Sequence, residues 1–248
     1  MSAAAQTAVP AKVATGRLAR IFTSSIGLKA IMAVTGIALS VFVLGHMAGN
    51  LLAFAGAGAL NSYAVSLRKV PALLWGARIG LLVSVVLHIW AYLALTRASL
   101  AARSQNYKVT TYRESTLASR TMRWTGPLLL AFLVYHLMHL TLGVPAVHPQ
   151  FMHFETQQDP LRGPVLVAHT YHNLVTGLLY APVAIIYVAA IAMLALHLHH
   201  GVWSLFQTLG SNQPRFDSFG RRFATVFTLV VCAGFALVPI GVLLGWIR

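Results

Sequence analysis

The sequence predicts an all-α integral membrane protein with five transmembrane helices. Three observations predict it. Of 248 residues, 58% are apolar and 9% charged, against roughly 45–50% and roughly 25% in soluble domains. So few charges cannot cover the water-facing surface of a chain this long. Five separate stretches each supply the roughly 20 apolar residues that a helix needs to cross a hydrocarbon core about 30 Å thick. The 18 Lys and Arg, set against 4 Asp and Glu, lie mostly between these stretches. The net charge of +14 is therefore a topology signal and not a nucleic-acid footprint. An ordinary soluble enzyme, a disordered chain and a nucleic-acid binder are excluded.

Residues 1–20 are small and polar, with Lys12, Arg17 and Arg20 and no short apolar core followed by a cleavage site. They read as a flexible cytoplasmic tail. Residues 21–248 form the membrane domain, with spans at about 26–54, 71–97, 124–144, 178–206 and 223–247. With the N-terminus inside, the cytoplasmic side receives thirteen of the 18 basic residues: Lys12, Arg17, Arg20, Lys29, Arg97, Arg103, Lys108, Arg113, Arg120, Arg123, Arg215, Arg221 and Arg222. Arg68, Lys69, Arg162 and Arg248 fall on the other side, and Arg78 lies within the second span. This bias predicts a cytoplasmic N-terminus and an outer C-terminus. Residues 145–177 are long for a bundle connection. Their prolines, histidines (His172 among them) and the acids Glu155 and Asp159 predict an ordered cap on the outer face. The lone Cys232, in an apolar stretch, reads as inert packing.

The spans hold His46, His88, His136, His139, His197, His199 and His200. The first four spans each carry at least one histidine and the fifth none. Ionisable groups in hydrocarbon are costly, so a specific role is expected. One imidazole from each of four helices suits haem, because two imidazoles from opposite helices can fill both axial positions of the iron. Such an iron has no open site and carries electrons. Depth suggests the pairs. His46 and His136 each lie roughly 12 Å before the outer end of an outward-running helix, at 1.5 Å per residue. His88 and the cluster at His197–His200 lie toward the inner ends of inward-running helices. Pairs His46/His136 and His88/His200 would give two stacked haems, although by depth alone His197 matches His88 slightly better. His139, one turn beyond His136, is either a replacement for it or a polar neighbour. Gly36, Gly126 and Gly201, with Gly45 and Gly49, are small residues that let a helix stand back from a flat macrocycle. A weak repeat recurs in spans one and three: Thr35-Gly36, nine residues, His46; and Thr125-Gly126, nine residues, His136. Zinc is disfavoured because it needs more ligands in one cluster.

From about Arg20 to the C-terminus these features resemble the single-polypeptide, di-haem cytochrome b anchor family of succinate dehydrogenase and fumarate reductase. The segments that carry the resemblance are Thr23-Ser24-Ser25-Ile26-Gly27-Leu28-Lys29, Thr35-Gly36 leading to Gly45-His46-Met47-Ala48-Gly49-Asn50, Leu87-His88, Thr125-Gly126 leading to His136, and Leu196 through Ser204 with Phe206-Gln207. The resemblance implies two b-type haems and five helices, the first four forming a haem-binding bundle with a peripheral fifth. It implies ligands His46, His88, His136 and His200, the last favoured by its His-Gly step. It also implies a prokaryotic cytoplasmic membrane and two partner subunits on the cytoplasmic face. One is a flavoprotein with covalent FAD that oxidises succinate; the other carries three iron–sulfur clusters. The anchor would serve as a non-catalytic subunit that passes electrons to menaquinone or ubiquinone. The basic inner face would meet an acidic partner surface and anionic lipid.

Ser24, Ser25 and Lys29 are candidates for the quinone site at the inner mouth of the first span. Some family members place an acid near the outer haem. Here Arg68 and Lys69 stand instead, and no acid is expected inside a span, so outer proton exchange would fall to Glu155, Asp159 or a loop histidine. Two other functions are compatible with parts of the pattern: the cytochrome b of a hydrogenase or formate dehydrogenase, and a transporter that relays protons through histidines.

Overall fold

A computed structural model describes residues 22–102, 115–161, 163–210 and 214–248, the side chains of 214–216 excepted. The expected tail, together with Arg103, Lys108, Arg113 and Arg162, lies outside the described residues.

The chain is a predominantly helical, multi-pass membrane protein. Five of its helices are long and apolar enough to cross a bilayer, with mean hydropathy between 1.5 and 2.5 over their most apolar windows. The first, α1 (Ser25–Leu51), begins where the Ser24 side chain accepts from the Gly27 N–H at 3.0 Å. Its 27 residues reach about 40 Å at 1.5 Å per residue, enough to cross with some tilt. A tight turn over Leu52–Ala55 ends at Gly56 with φ +91°, and a short helix α2 (Ala57–Ser66) follows. Pro71 then opens α3 (Pro71–Ala101), where its missing N–H costs nothing.

The third span, α4 (Leu117–Leu137), starts seven residues before its expected boundary. Thr116 accepts from the Ser119 N–H at 3.2 Å, so Arg120 and Arg123 sit in its first turns and not in a connection. It widens into a π turn over Met138–Leu142 and stops at Gly143 with φ +62°, a left-handed position that suits glycine. The expected cap is ordered: an antiparallel hairpin, β1 (Glu155–Asp159) on β2 (Gly163–Val167), and a helix α5 (Thr170–Leu179). A break at Tyr180 separates α5 from the fourth span, α6 (Ala181–Thr208). The fifth span lies in α7 (Pro214–Leu243).

The spans pack in pairs, α1 along α3 and α4 along α6, with α7 against both α6 and α1. The fifth helix is therefore not peripheral. Its apolar window is 44% buried, the largest share of the five, while that of α3 is 6% buried. Ala224 and Val231 pack on Leu198 and Val202 of α6. Gly234 admits the Met47 thioether so closely that a Cβ there would collide with it. Much of the remaining apolar surface faces outward, as in Ile26, Leu73 and Trp124, which is what a lipid-facing surface requires. The same helix begins early enough to carry Asp217 in its first turn, although no acid was expected within a span. Asp217 accepts from Arg221 Nε at 2.8 Å and from Trp203 Nε1 at 3.2 Å.

One end of the bundle is capped by α2, the hairpin and α5. Leu60, Leu174, Leu178, Val242 and Ile247 form one buried cluster there. Hydrogen bonds tie the pieces together: the Tyr171 N–H donates to Asn61 Oδ1 at 2.9 Å, and Asn173 both accepts from the Met152 N–H and donates to its carbonyl at 2.8 Å. The Gln157 amide and then His169 hold the exposed Glu155 carboxyl below the usual carboxylate range. The charged form of Glu155 is the one its partners stabilise. This contribution to the hairpin is complete above the ordinary carboxylate pKa and lost as pH falls through the lowered one. Amide hydrogen exchange over 155–167 should therefore be unchanged from neutral to mildly acidic pH once corrected for intrinsic rates. It should accelerate below that range, and Glu155→Gln should remove most of this acid step.

Candidate functional site

The intramembrane histidines meet in two facing pairs at two levels of the bundle. Toward the capped end, His46 of α1 faces His136 of α4, with ring centres 5.8 Å apart and planes at 80°. Toward the far end, His88 of α3 faces His197 of α6 at 6.4 Å and 56°. Each helix of the two packed pairs contributes one ring. His46 is stacked on Phe42 at 5.3 Å and flanked by Phe235 of α7 at 5.8 Å. The histidine-free fifth helix thus walls this pair with an aromatic side chain.

One facing pair differs from the expected one. The ring opposite His88 is His197, not His200. Three residues on, His200 is turned about 60° round the helix and lies about 4.5 Å further along it. Its ring lies 6.3 Å from that of Trp203, and its buried Nδ1 has no hydrogen-bond partner among the described residues. His199 faces α7, with Nε2 3.2 Å from Thr225 Oγ1. Gly201 is exposed and has open space where a Cβ would stand, so it does not abut a ring. Gly36 and Gly126 do: a Cβ on Gly36 would lie 3.7 Å from His88 Cε1, and one on Gly126 4.0 Å from His197 Cε1.

The ring nitrogens have definite partners. His88 Nδ1 lies 3.0 Å from Thr35 Oγ1, and His197 Nδ1 lies 3.4 Å from Thr125 Oγ1. His136 Nδ1 lies 3.2 Å from the Tyr187 hydroxyl, which also meets His139 Nδ1 at 2.9 Å. His46 Nε2 lies 3.3 Å from the Asn50 amide nitrogen, which donates to the His46 carbonyl at 2.8 Å. A metal taking that lone pair would displace only the longer Asn50 contact.

His139 is thus a polar neighbour of the pair and not a member of it. It is 1% exposed and sits on the π turn; three residues apart, His136 and His139 lie on one face and reach the same hydroxyl. Tyr187 was not foreseen, since a tyrosine on an apolar helix carries no spacing signal. Beside His139 is a cavity of about 300 Å³ lined also by His148, Gly177, Tyr180 and Val183. His148, itself 3% exposed, donates from Nε2 to the Asn173 carbonyl at 2.9 Å.

Comparison with protein-family models, with curated proteins and with solved structures finds no match to this chain. The chemistry therefore has to come from the geometry. Among the described residues, no three or more His, Cys, Asp or Glu side chains gather as a zinc site would need. Two facing imidazoles suit a metal held axially from both sides. With metal–nitrogen bonds of about 2 Å and about 1 Å from nitrogen to ring centre, two such rings stand roughly 6 Å apart. Both pairs meet that separation.

Ser24, Ser25 and Lys29 are all exposed. The Ser24 hydroxyl is engaged as the α1 cap, and the three do not line the cavity beside His139. Gly177 is the residue that leaves room for the capped-end histidines. A Cβ there would stand 2.8 Å from His139 Nε2 and 2.9 Å from His148 Nε2. Gly177→Val should displace both rings and cost about 1–3 kcal/mol, the usual size of an overpacking penalty. Thermal unfolding in detergent would show this as a lower midpoint, with Gly177→Ala intermediate.

Proposed function

We propose that this chain is the membrane anchor and cytochrome b subunit of a succinate:quinone oxidoreductase, carrying electrons across the bilayer between an iron–sulfur partner and quinone. The observation that carries the electron-transfer reading is the pair of facing histidines at each of two levels, one ring from each of four helices. The ordered motifs that resemble the di-haem anchor family support the particular complex, its flavoprotein and its iron–sulfur subunit.

His46 with His136, and His88 with His197, would each hold one b-type haem. Such a group would supply reversible one-electron chemistry. The chain does the rest. The Nδ1 contacts from Thr35, Thr125 and Tyr187 fix how three of the four rings stand. Phe42 and Phe235 wall the capped-end pair, and the apolar spans exclude water from both.

The excess of basic residues on the N-terminal side supports a cytoplasmic N-terminus with the cap outside, and the resemblance implies a prokaryotic inner membrane. Within this reading the quinone ring belongs in the cavity beside His139. Two buried imidazoles offer hydrogen bonds there, and Tyr187 links the cavity to a haem ligand. Ser24, Ser25 and Lys29, exposed at the inner mouth of α1, are the alternative place, against a partner subunit.

A reduced-minus-oxidised optical spectrum with haem counted per chain tests the core of the proposal. Two low-spin b haems are expected, and none in a folded preparation would refute it. His46→Ala or His136→Ala should lose the outer haem, and His88→Ala or His197→Ala the inner one. His200→Ala should keep both. Co-purification of a subunit with covalent FAD separates this complex from a hydrogenase or formate dehydrogenase anchor.

A further inference from the structure

The repeated Thr-Gly steps have a use that the paired rings alone do not explain. Each threonine lies on one helix of a packed pair and reaches a histidine on the other: Thr35 of α1 to His88 of α3, and Thr125 of α4 to His197 of α6. Both threonines are buried, at 6% and 1% exposure. The two rings they touch are the two that face each other at 6.4 Å. The same two-helix unit therefore occurs twice, and its two copies meet at this pair.

A hydroxyl has one proton to give. The nearest acceptor to Thr35 Oγ1 is the Ile31 carbonyl oxygen at 2.7 Å, with that of Met32 at 3.2 Å. With the proton there, the oxygen accepts from His88 Nδ1 at 3.0 Å and Nε2 keeps its lone pair; the ring contact by itself fits either direction. No hydrogen bond reaches His197 Nε2 among the described residues, and the Met32 carbonyl is a further acceptor for the His88 ring. Thr125 repeats the contact but not the tight backbone bond: Oγ1 lies 3.4 Å from His197 Nδ1 and 3.5 Å from the Met122 carbonyl oxygen. A Cβ on either adjacent glycine would make only ordinary contact with the ring, so ring packing alone does not require them.

We propose that Thr35 and Thr125 are positioning residues for the inner histidine pair, each accepting the Nδ1 proton of its ring so that Nε2 is held in the ligating tautomer toward the partner ring. This rests on the proposal that the pair holds a haem. An acceptor at Nδ1 raises the basicity of the ligating nitrogen, and hydrogen bonding to an axial ligand is one of the protein's means of setting haem potential. Removing the acceptor should weaken electron donation to the iron and favour its reduced form.

The experiment is a redox titration of the purified chain, read optically at both haems and by the low-temperature EPR of the oxidised low-spin signals. Thr35→Val keeps the shape and removes the acceptor; Thr35→Ser keeps the acceptor. The expected result is a higher potential and altered EPR signal for the inner haem in Thr35→Val, with the outer haem unmoved and Thr35→Ser near wild type. Thr125→Val should shift the same haem by less, since its contact is longer. Loss of only the inner haem in Thr35→Val, restored by Thr35→Ser, would also support the proposal. An unchanged inner potential, or a loss of haem that serine does not restore, would overturn it. Absence of haem from the wild-type chain would instead refute the cytochrome proposal on which it stands.

Discussion

An imidazole within hydrocarbon has two nitrogens and no water to satisfy them, and this constraint organises the bundle. Leaving a polar group unpaired there costs several kcal/mol. At the facing pairs the chain meets part of that cost with side chains that reach between helices. Thr35 crosses to His88 and Thr125 to His197, while the Tyr187 hydroxyl serves both His136 and His139. Each contact also fixes a ring's orientation. The pairing of helices α1 with α3 and α4 with α6 is thus also the pairing of each far-end ring with its hydrogen-bond partner.

Geometry at the two levels differs in a chemically useful way. The far-end pair meets hydroxyls on neighbouring helices, one of them already committed to its own backbone. The capped-end pair touches a tyrosine shared with a third histidine, and that histidine borders a cavity under the cap. A site that must only carry charge is served by the first arrangement. A site that must also exchange protons with a ligand is served by the second. The cap itself depends on close fits, above all at Gly177, where two buried rings occupy the space a side chain would fill.

The five spans, the ordered cap and the histidine-bearing helices were legible because each has a local signature: apolar length, proline and histidine content, and ionisable residues in the wrong solvent. The pair His46/His136 was legible from depth, because rise per residue is fixed. The choice between His197 and His200 was not. Three residues change depth by less than one turn, and only the rotation of α6 against α3 decides which ring faces inward. The central place of α7 was hidden too. A helix without histidines looks peripheral, and its contacts through Phe235, Val231 and Gly234 are ordinary apolar residues with no pattern of their own.

What the sequence by itself determined is the solvent of the chain, the number of its crossings and the depth of each imidazole, all of which follow from one-dimensional quantities such as apolar length and rise per residue. Only the tertiary structure decided which rings face each other, which hydroxyl each nitrogen meets, and that a tyrosine and a π turn join a third histidine to one pair. These depend on the rotation of each helix about its axis. That rotation is set by packing between helices distant in the chain, so no local stretch of sequence contains it.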